Sequence, residues 1–141
     1  MKLAFIGTYP PRECGIATFT MDLYQSMIGD NKIIKDTLLF TPKSPEGDLS
    51  SPPSGGRGVN SSKDSVDGFI IAINDHEQTY NYPEEVKLTI RQEHQRDYLE
   101  AVKFINLSGA DLCILEHEFG IFGGQSGVYI LPLLHRLEIP L

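Results

Sequence analysis

The sequence predicts an α/β fold, a Rossmann-like and mostly parallel sheet with flanking helices. Three observations predict it. Nearly continuous apolar runs recur at residues 2–7, 68–74 and 112–115, as expected for short strands covered on both faces. Segments with helical spacing of apolar residues alternate with these runs, the order that builds a parallel sheet through right-handed crossovers. Glycine- and proline-rich stretches separate the two kinds of segment.

Residues 2–7 form the first strand, which stops at Gly7. The following Thr8-Tyr9-Pro10-Pro11-Arg12-Glu13-Cys14-Gly15 is kept out of helix by its two prolines. From Ile16 the period changes. Ile16, Phe19, Leu23 and Met27 make one stripe of an amphipathic helix ending near Gly29. A second strand is expected over 33–40, from Ile33, Ile34, Leu38 and Leu39. Between 41 and 67 the composition collapses into Pro, Gly and Ser, with too little apolar surface to offset the entropy of ordering. It reads as a flexible insertion loop and not as a domain linker, because the strand and helix pattern resumes beyond it. A loop of that length is unusual inside a compact domain.

Phe69, Ile70, Ile71, Ala72 and Ile73 give a third strand. Val86, Leu88 and Ile90 then alternate with Lys87 and Thr89, the period of a half-exposed strand. From Gln92 the pattern is helical, with Tyr98, Val102 and Ile105 on one face, Leu99 beside them, and Gly109 as a natural stop. Residues 112–115 are a buried strand, followed by a loop over 116–125. Val128, Leu131, Leu134 and Leu137 suggest a last helix. Pro132 is tolerated there only in a first turn. Another strand is expected to begin at Ile139-Pro140-Leu141.

A chain of 141 residues fits one domain with a core of its own, or part of a larger one. Its net charge of −7 argues against nucleic acid or an anionic membrane as partner, since both require a basic face. No apolar run approaches the roughly 18 to 20 residues of a membrane span, and the apolar stretch at the start is short for a signal peptide. Cys14 and Cys113 cannot build a disulfide framework or a four-cysteine zinc site. The expected setting is the cytoplasm. There the sequons at Asn60 and Asn106 carry no glycan, and His76, His94 and His135 are expected at the surface.

In an open α/β sheet, ligands sit beyond the carboxyl ends of the strands, so the loops 8–15 and 116–125 are expected to face one cleft. The first has glycines at both edges and runs into a helix start, whose unpaired N–H groups suit a phosphate or carboxylate. Gly7 and Gly15 are too far apart for the dinucleotide fingerprint, and no Gly-Lys-Ser/Thr follows for a P-loop. A plain strand-to-helix turn stays open as the alternative. The second loop, Glu116-His117-Glu118-Phe119-Gly120-Ile121-Phe122-Gly123-Gly124, sets a histidine between two acids. Its spacing fits no zincin pattern, so no metal is expected. A histidine that hydrogen-bonds a ligand hydroxyl, or one merely solvated on a loop, are the readings left. Gly123 and Gly124 suggest a second anion-friendly helix start.

Four stretches together resemble the amino-terminal domain of retaining glycosyltransferases of family 4, which have the GT-B fold. They are Ile6-Gly7-Thr8-Tyr9-Pro10-Pro11-Arg12-Glu13-Cys14-Gly15-Ile16-Ala17-Thr18-Phe19, Asn81-Tyr82-Pro83-Glu84-Glu85-Val86, Ile105-Asn106-Leu107-Ser108-Gly109-Ala110-Asp111, and His117-Glu118-Phe119-Gly120-Ile121-Phe122-Gly123-Gly124. The resemblance spans most of the chain outside 41–67. It implies transfer of a hexosyl unit, mannosyl among the candidates, from a nucleotide sugar to a sugar acceptor, without a metal or other cofactor and without a protein nucleophile. By position, Gly7, Pro11, Cys14, Gly15 and Thr18 would line the cleft and approach the donor phosphates. His117 would be the catalytic residue beside the transferred sugar, with Glu118, Phe119, Gly120, Gly123 and Gly124 around it. The family's carboxy-terminal donor-binding domain has no counterpart here. The chain therefore reads as an incomplete amino-terminal half of a GT-B fold over 1–141, expected to be inactive alone. The alternative is a non-catalytic α/β module that binds a nucleotide or sugar.

Overall fold

A computed structural model of the chain describes residues 1–28, 65–75, 77 and 80–141. The expected strand 33–40, residues 41–64 of the insertion, the Asn60 sequon and His76 lie outside the described residues. Four strands, β1 (Lys2–Gly7), β2 (Asp67–Asn74), β3 (Val86–Arg91) and β4 (Leu112–Leu115), form one sheet in the order β3-β2-β1-β4. Every neighbouring pair is parallel. Helix α1 (Gly15–Ile28) follows β1 and α2 (Gln95–Leu107) follows β3. After β4 come a 3-10 segment (Gln125–Ile130) and the short helix α3 (Leu131–Arg136). The expected α/β architecture with a parallel sheet is present.

The apolar runs sit where two-sided burial requires them. Ala4, Ile6, Phe69, Ile71, Ile73 and Ile90 pack with Tyr98, Val102 and Ile105 of α2 and Leu133 of α3. The alternate residues Leu3, Phe5, Ile70 and Ala72 meet Tyr9 and the apolar side of α1. Each fully buried aliphatic side chain is worth about 1.5–3 kcal/mol, which explains why the central strands carry so few polar residues. In β3, Ile90 is buried and Lys87 exposed, the one-sided burial that its period indicates. Helix α2 begins at Gln95, three residues later than the spacing suggests. It ends where expected, with Gly109 at φ +72°, a conformation that glycine adopts without strain.

Two helical stripes differ from expectation. In α1 the wholly buried positions are Ala17 and Thr20, with Met21, Leu23, Tyr24, Met27 and Ile28 packed against the sheet, while Phe19 is 54% exposed. The inward face is thus rotated by about one residue from the stripe through Phe19. The last helix is broken: Ser126 and Gly127 both have positive φ, and α3 restarts at Leu131 with Pro132 in its first turn. That restart resets the phase. Ile130 and Leu133 are buried with Leu134 and Leu137 against the core, whereas Val128 and Leu131 are exposed. The final residues run beside β4, with the Cys113 N–H donating to the Pro140 carbonyl at 2.8 Å, but no strand is formed at 139–141.

Candidate functional site

The chain lays β2 and β3 on one side of β1 and then crosses to place β4 on the other. The carboxyl ends of β1 and β4 therefore flank the topological switch point, where open α/β sheets bind ligands. Ile6 is level with Leu115 in the ladder, and the Glu116 N–H donates to the Ile6 carbonyl at 2.9 Å. Loops 8–15 and 116–125 thus start side by side from adjacent strands. A side-chain carbon placed on Gly7 would lie 3.0 Å from Glu116 Cβ and 3.1 Å from Thr20 Oγ1. Gly7 is buried, and its bareness makes room for Glu116 and Thr20.

The first loop is folded down onto the end of β2. Tyr9 is buried and its hydroxyl donates to Glu85, so burial and that carboxylate push its pKa up. The Pro10–Pro11 peptide bond is cis. Arg12 donates from Nη1 to the Ile73 carbonyl at 3.0 Å and lies 3.7 Å from Asp75, with its side chain only 11% exposed. Buried Thr8 shares a hydrogen bond of 3.1 Å with Cys14 Sγ. Pro11, Gly15 and Thr18 are exposed, Cys14 half-buried. At the start of α1 the Ala17 and Thr18 amides bond the Cys14 carbonyl. First-turn amides lack intrahelical partners by construction, and no side chain among the described residues caps Gly15 or Ile16.

The second loop has an exposed tip and a buried base. His117, Glu118, Phe119 and Gly120 are exposed, while Ile121, Phe122 and Gly123 are buried. The His117 ring lies 5.6 Å from the Phe122 ring and 5.8 Å from that of Phe119. Phe119 itself is 92% exposed. Helix α2 and the turn before it clamp the base. The Gly123 N–H donates to Tyr98 Oη at 3.0 Å, and Tyr98 Oη donates to the Gln92 carbonyl at 2.9 Å. The Gln92 side chain donates to the Gly120 carbonyl, and the Gly124 N–H donates to Glu93. The Gly123 and Gly124 amides therefore already have partners. The helix start expected to attract an anion is instead a six-residue 3-10 segment. The Gly123 and Gly124 amides just before it hold the loop to the α2 side of the fold. Tyr98→Phe removes one buried hydroxyl from between two backbone groups. A buried amide left without its partner costs about 1–3 kcal/mol, so a corresponding fall in unfolding free energy by urea titration is expected.

Compared with protein-family models, curated proteins and solved structures, the chain gives no match in any of the three. The site must be read from its own residues. Among the described residues no three His, Cys, Asp or Glu side chains gather as a metal site, and no helix is long and apolar enough to cross a membrane. His94 pairs with Glu77 at 2.7 Å and His135 is exposed. Cys113 is buried, which pushes its thiol up to about 12.

Several groups at the strand ends carry no motif and escape a sequence reading. Asn74 closes β2 wholly buried; its side-chain oxygen accepts from the Tyr82 hydroxyl, and its Nδ2 has no partner among the described residues. Burial pushes the Tyr82 pKa up. Arg12 and Glu116 stand inside the two stretches that the sequence singles out, but their partners across the fold are not visible there. The only available signal was position: each lies within a few residues of the carboxyl end of a predicted strand. A second cavity of about 630 Å³ opens toward the amino ends of β1 and β2, lined by Lys2, Tyr24, Asp67 and Glu85 among others, and Glu85 is the carboxylate that accepts from Tyr9 of the first loop.

Proposed function

We propose that the chain forms the acceptor-side domain of a hexosyl-transferring enzyme of GT-B type, working with a nucleotide-sugar donor. The observation that carries this reading is the side-by-side start of the Pro-Pro-Arg-Glu-Cys-Gly and His-Glu-Phe-Gly-Ile-Phe-Gly-Gly loops at the switch point, with Glu116 against Gly7. His117 is then the group placed to hydrogen-bond the transferred sugar, because its ring is exposed yet backed by Phe122. A neutral imidazole can donate from one nitrogen and accept at the other, which suits a hydroxyl and can steady charge developing on the sugar. The amides opening α1 supply a partial positive charge for a phosphate approaching Gly15. Helix α2 gives the His117 loop a rigid base, as orientation of reacting groups demands.

An amide-resolved NMR titration of the whole chain with uridine diphosphate glucose, guanosine diphosphate mannose, D-glucose and D-mannose tests this reading. The expected result is that a nucleotide sugar or a hexose shifts residues of both loops together. Shifts confined to the first loop, produced equally by nucleotides lacking a sugar, would favour the non-catalytic nucleotide-binding module. No shift in either loop would defeat both.

A further inference from the structure

The stretch that carries His117 is held at both ends and almost nowhere between. The Glu116 N–H donates to the Ile6 carbonyl, and the Gly123 N–H donates to Tyr98 Oη. From His117 to Phe122, a single hydrogen bond is made among the described residues: Gln92 Nε2 donates to the Gly120 carbonyl at 2.7 Å. His117, Glu118, Phe119 and Gly120 are all exposed, so close packing does not take the place of further bonds. Gly120 turns with φ +88°, and nothing lies within 4 Å of a carbon placed on it. The backbone of Gln92, by contrast, is fixed on three sides. Its N–H donates to the Asn74 carbonyl at the end of β2 at 2.8 Å, its carbonyl accepts from Tyr98 Oη at 2.9 Å, and Gly123 is wedged against that carbonyl.

We propose that Gln92 is the positioning residue of the His117 tip: its side-chain amide, carried on a backbone tied to β2 and α2, fixes the exposed turn from which His117 meets a ligand. The chemistry of the pair sets the direction of the bond. A carbonyl oxygen only accepts, and Nε2 is the one donor atom of the glutamine side chain. A histidine on a moving tip spends only part of its time where a ligand needs it, and affinity falls by that fraction. One hydrogen bond of this kind shifts the population of the ordered turn about two- to tenfold. Gln92 acts through His117 and not by touching the ligand. The effect on binding rests on the transfer reading, whereas the tether rests on the hydrogen bonds alone.

Nitrogen-15 relaxation of the whole chain tests the tether without any ligand. In the parent, the Gln92 side-chain amide should be as rigid as the backbone around it, a measurement that needs no variant to fold. Gln92→Met and Gln92→Glu keep the length of the side chain but carry no donor at neutral pH. Both should loosen the amides from His117 to Gly120 while the urea midpoint stays at that of the parent, since the bond lost is an exposed one. Binding of uridine diphosphate glucose, guanosine diphosphate mannose, D-glucose and D-mannose should weaken about two- to tenfold in both variants. A Gln92 side-chain amide that rotates freely in the parent, or a tip equally ordered without the donor, overturns the proposal and leaves the transfer reading untouched. A tip that loosens with no change in affinity refutes the positioning role alone. If none of the four probes binds the parent, the transfer reading falls and takes the positioning role with it.

Discussion

Gly123→Ala is expected to be among the most damaging single substitutions in the described structure, with a loss of about 3 kcal/mol or more by urea or thermal unfolding. A side-chain carbon at this position would lie 1.8 Å from the Gln92 carbonyl oxygen and 2.7 Å from its carbon. These are backbone atoms, so no rotamer change can relieve the overlap. Overpacking of a filled site costs about 1–3 kcal/mol. Moving the turn away from Gln92 would add the loss of the Gly123 N–H bond to Tyr98, a further 1–3 kcal/mol or so for an amide left unpaired. The control is Gly15→Ala. Nothing lies within 4 Å of a carbon added there, and alanine is favoured over glycine in a helix by about 1 kcal/mol. That variant should be as stable as the parent or slightly more so. A Gly123→Ala chain unfolding at the parent's urea midpoint would mean that the loop is not held against Gln92.

The contrast between these glycines shows what the sequence conceals. Gly7, Gly15, Gly123 and Gly124 look alike in the chain, as flexible corners beside a ligand. In space they differ: Gly7 makes room for Glu116, Gly123 is wedged against a backbone carbonyl, and Gly15 has no close neighbour. What separates them is contact between segments distant in sequence, such as Gly123 with Tyr98, 25 residues apart. No local pattern encodes that distance. The elements that were legible are those set by local pattern alone. The continuous apolar runs of β1 and β2 needed only burial on both faces, whereas β4, at the edge of the described sheet, buries only Cys113 fully, and the end of α2 needed only the positive φ at Gly109. The adjacency of the two loops also followed, because the order of elements in a parallel sheet restricts where strand ends lie. Asn74 did not stand out, since a single polar residue after an apolar run looks like an ordinary loop start.

Leu133→Ala is expected to cost about 2–5 kcal/mol, the range for emptying a buried leucine site, while Leu131→Ala should cost well under about 1 kcal/mol. The pair separates two phases of the same segment. A continuous helix through Val128, Leu131 and Leu134 turns Leu131 inward. The structure breaks that helix at Ser126 and Gly127 and starts α3 at Leu131, leaving Leu131 57% exposed and Leu133 fully buried. Pro132 is what favours the break: in the interior of a continuous helix its ring would clash with the carbonyl four residues back, whereas in a first turn it costs nothing. The new phase seats Leu133 in the same apolar cluster as Val102 and Ile105 of α2, on the helix that also clamps the His117 loop through Tyr98. Loss of Leu133 should therefore lower global stability and speed hydrogen exchange at the Gly123 amide, whereas Leu131→Ala should leave both unchanged. Equal costs for the two substitutions would return the segment to a single unbroken helix.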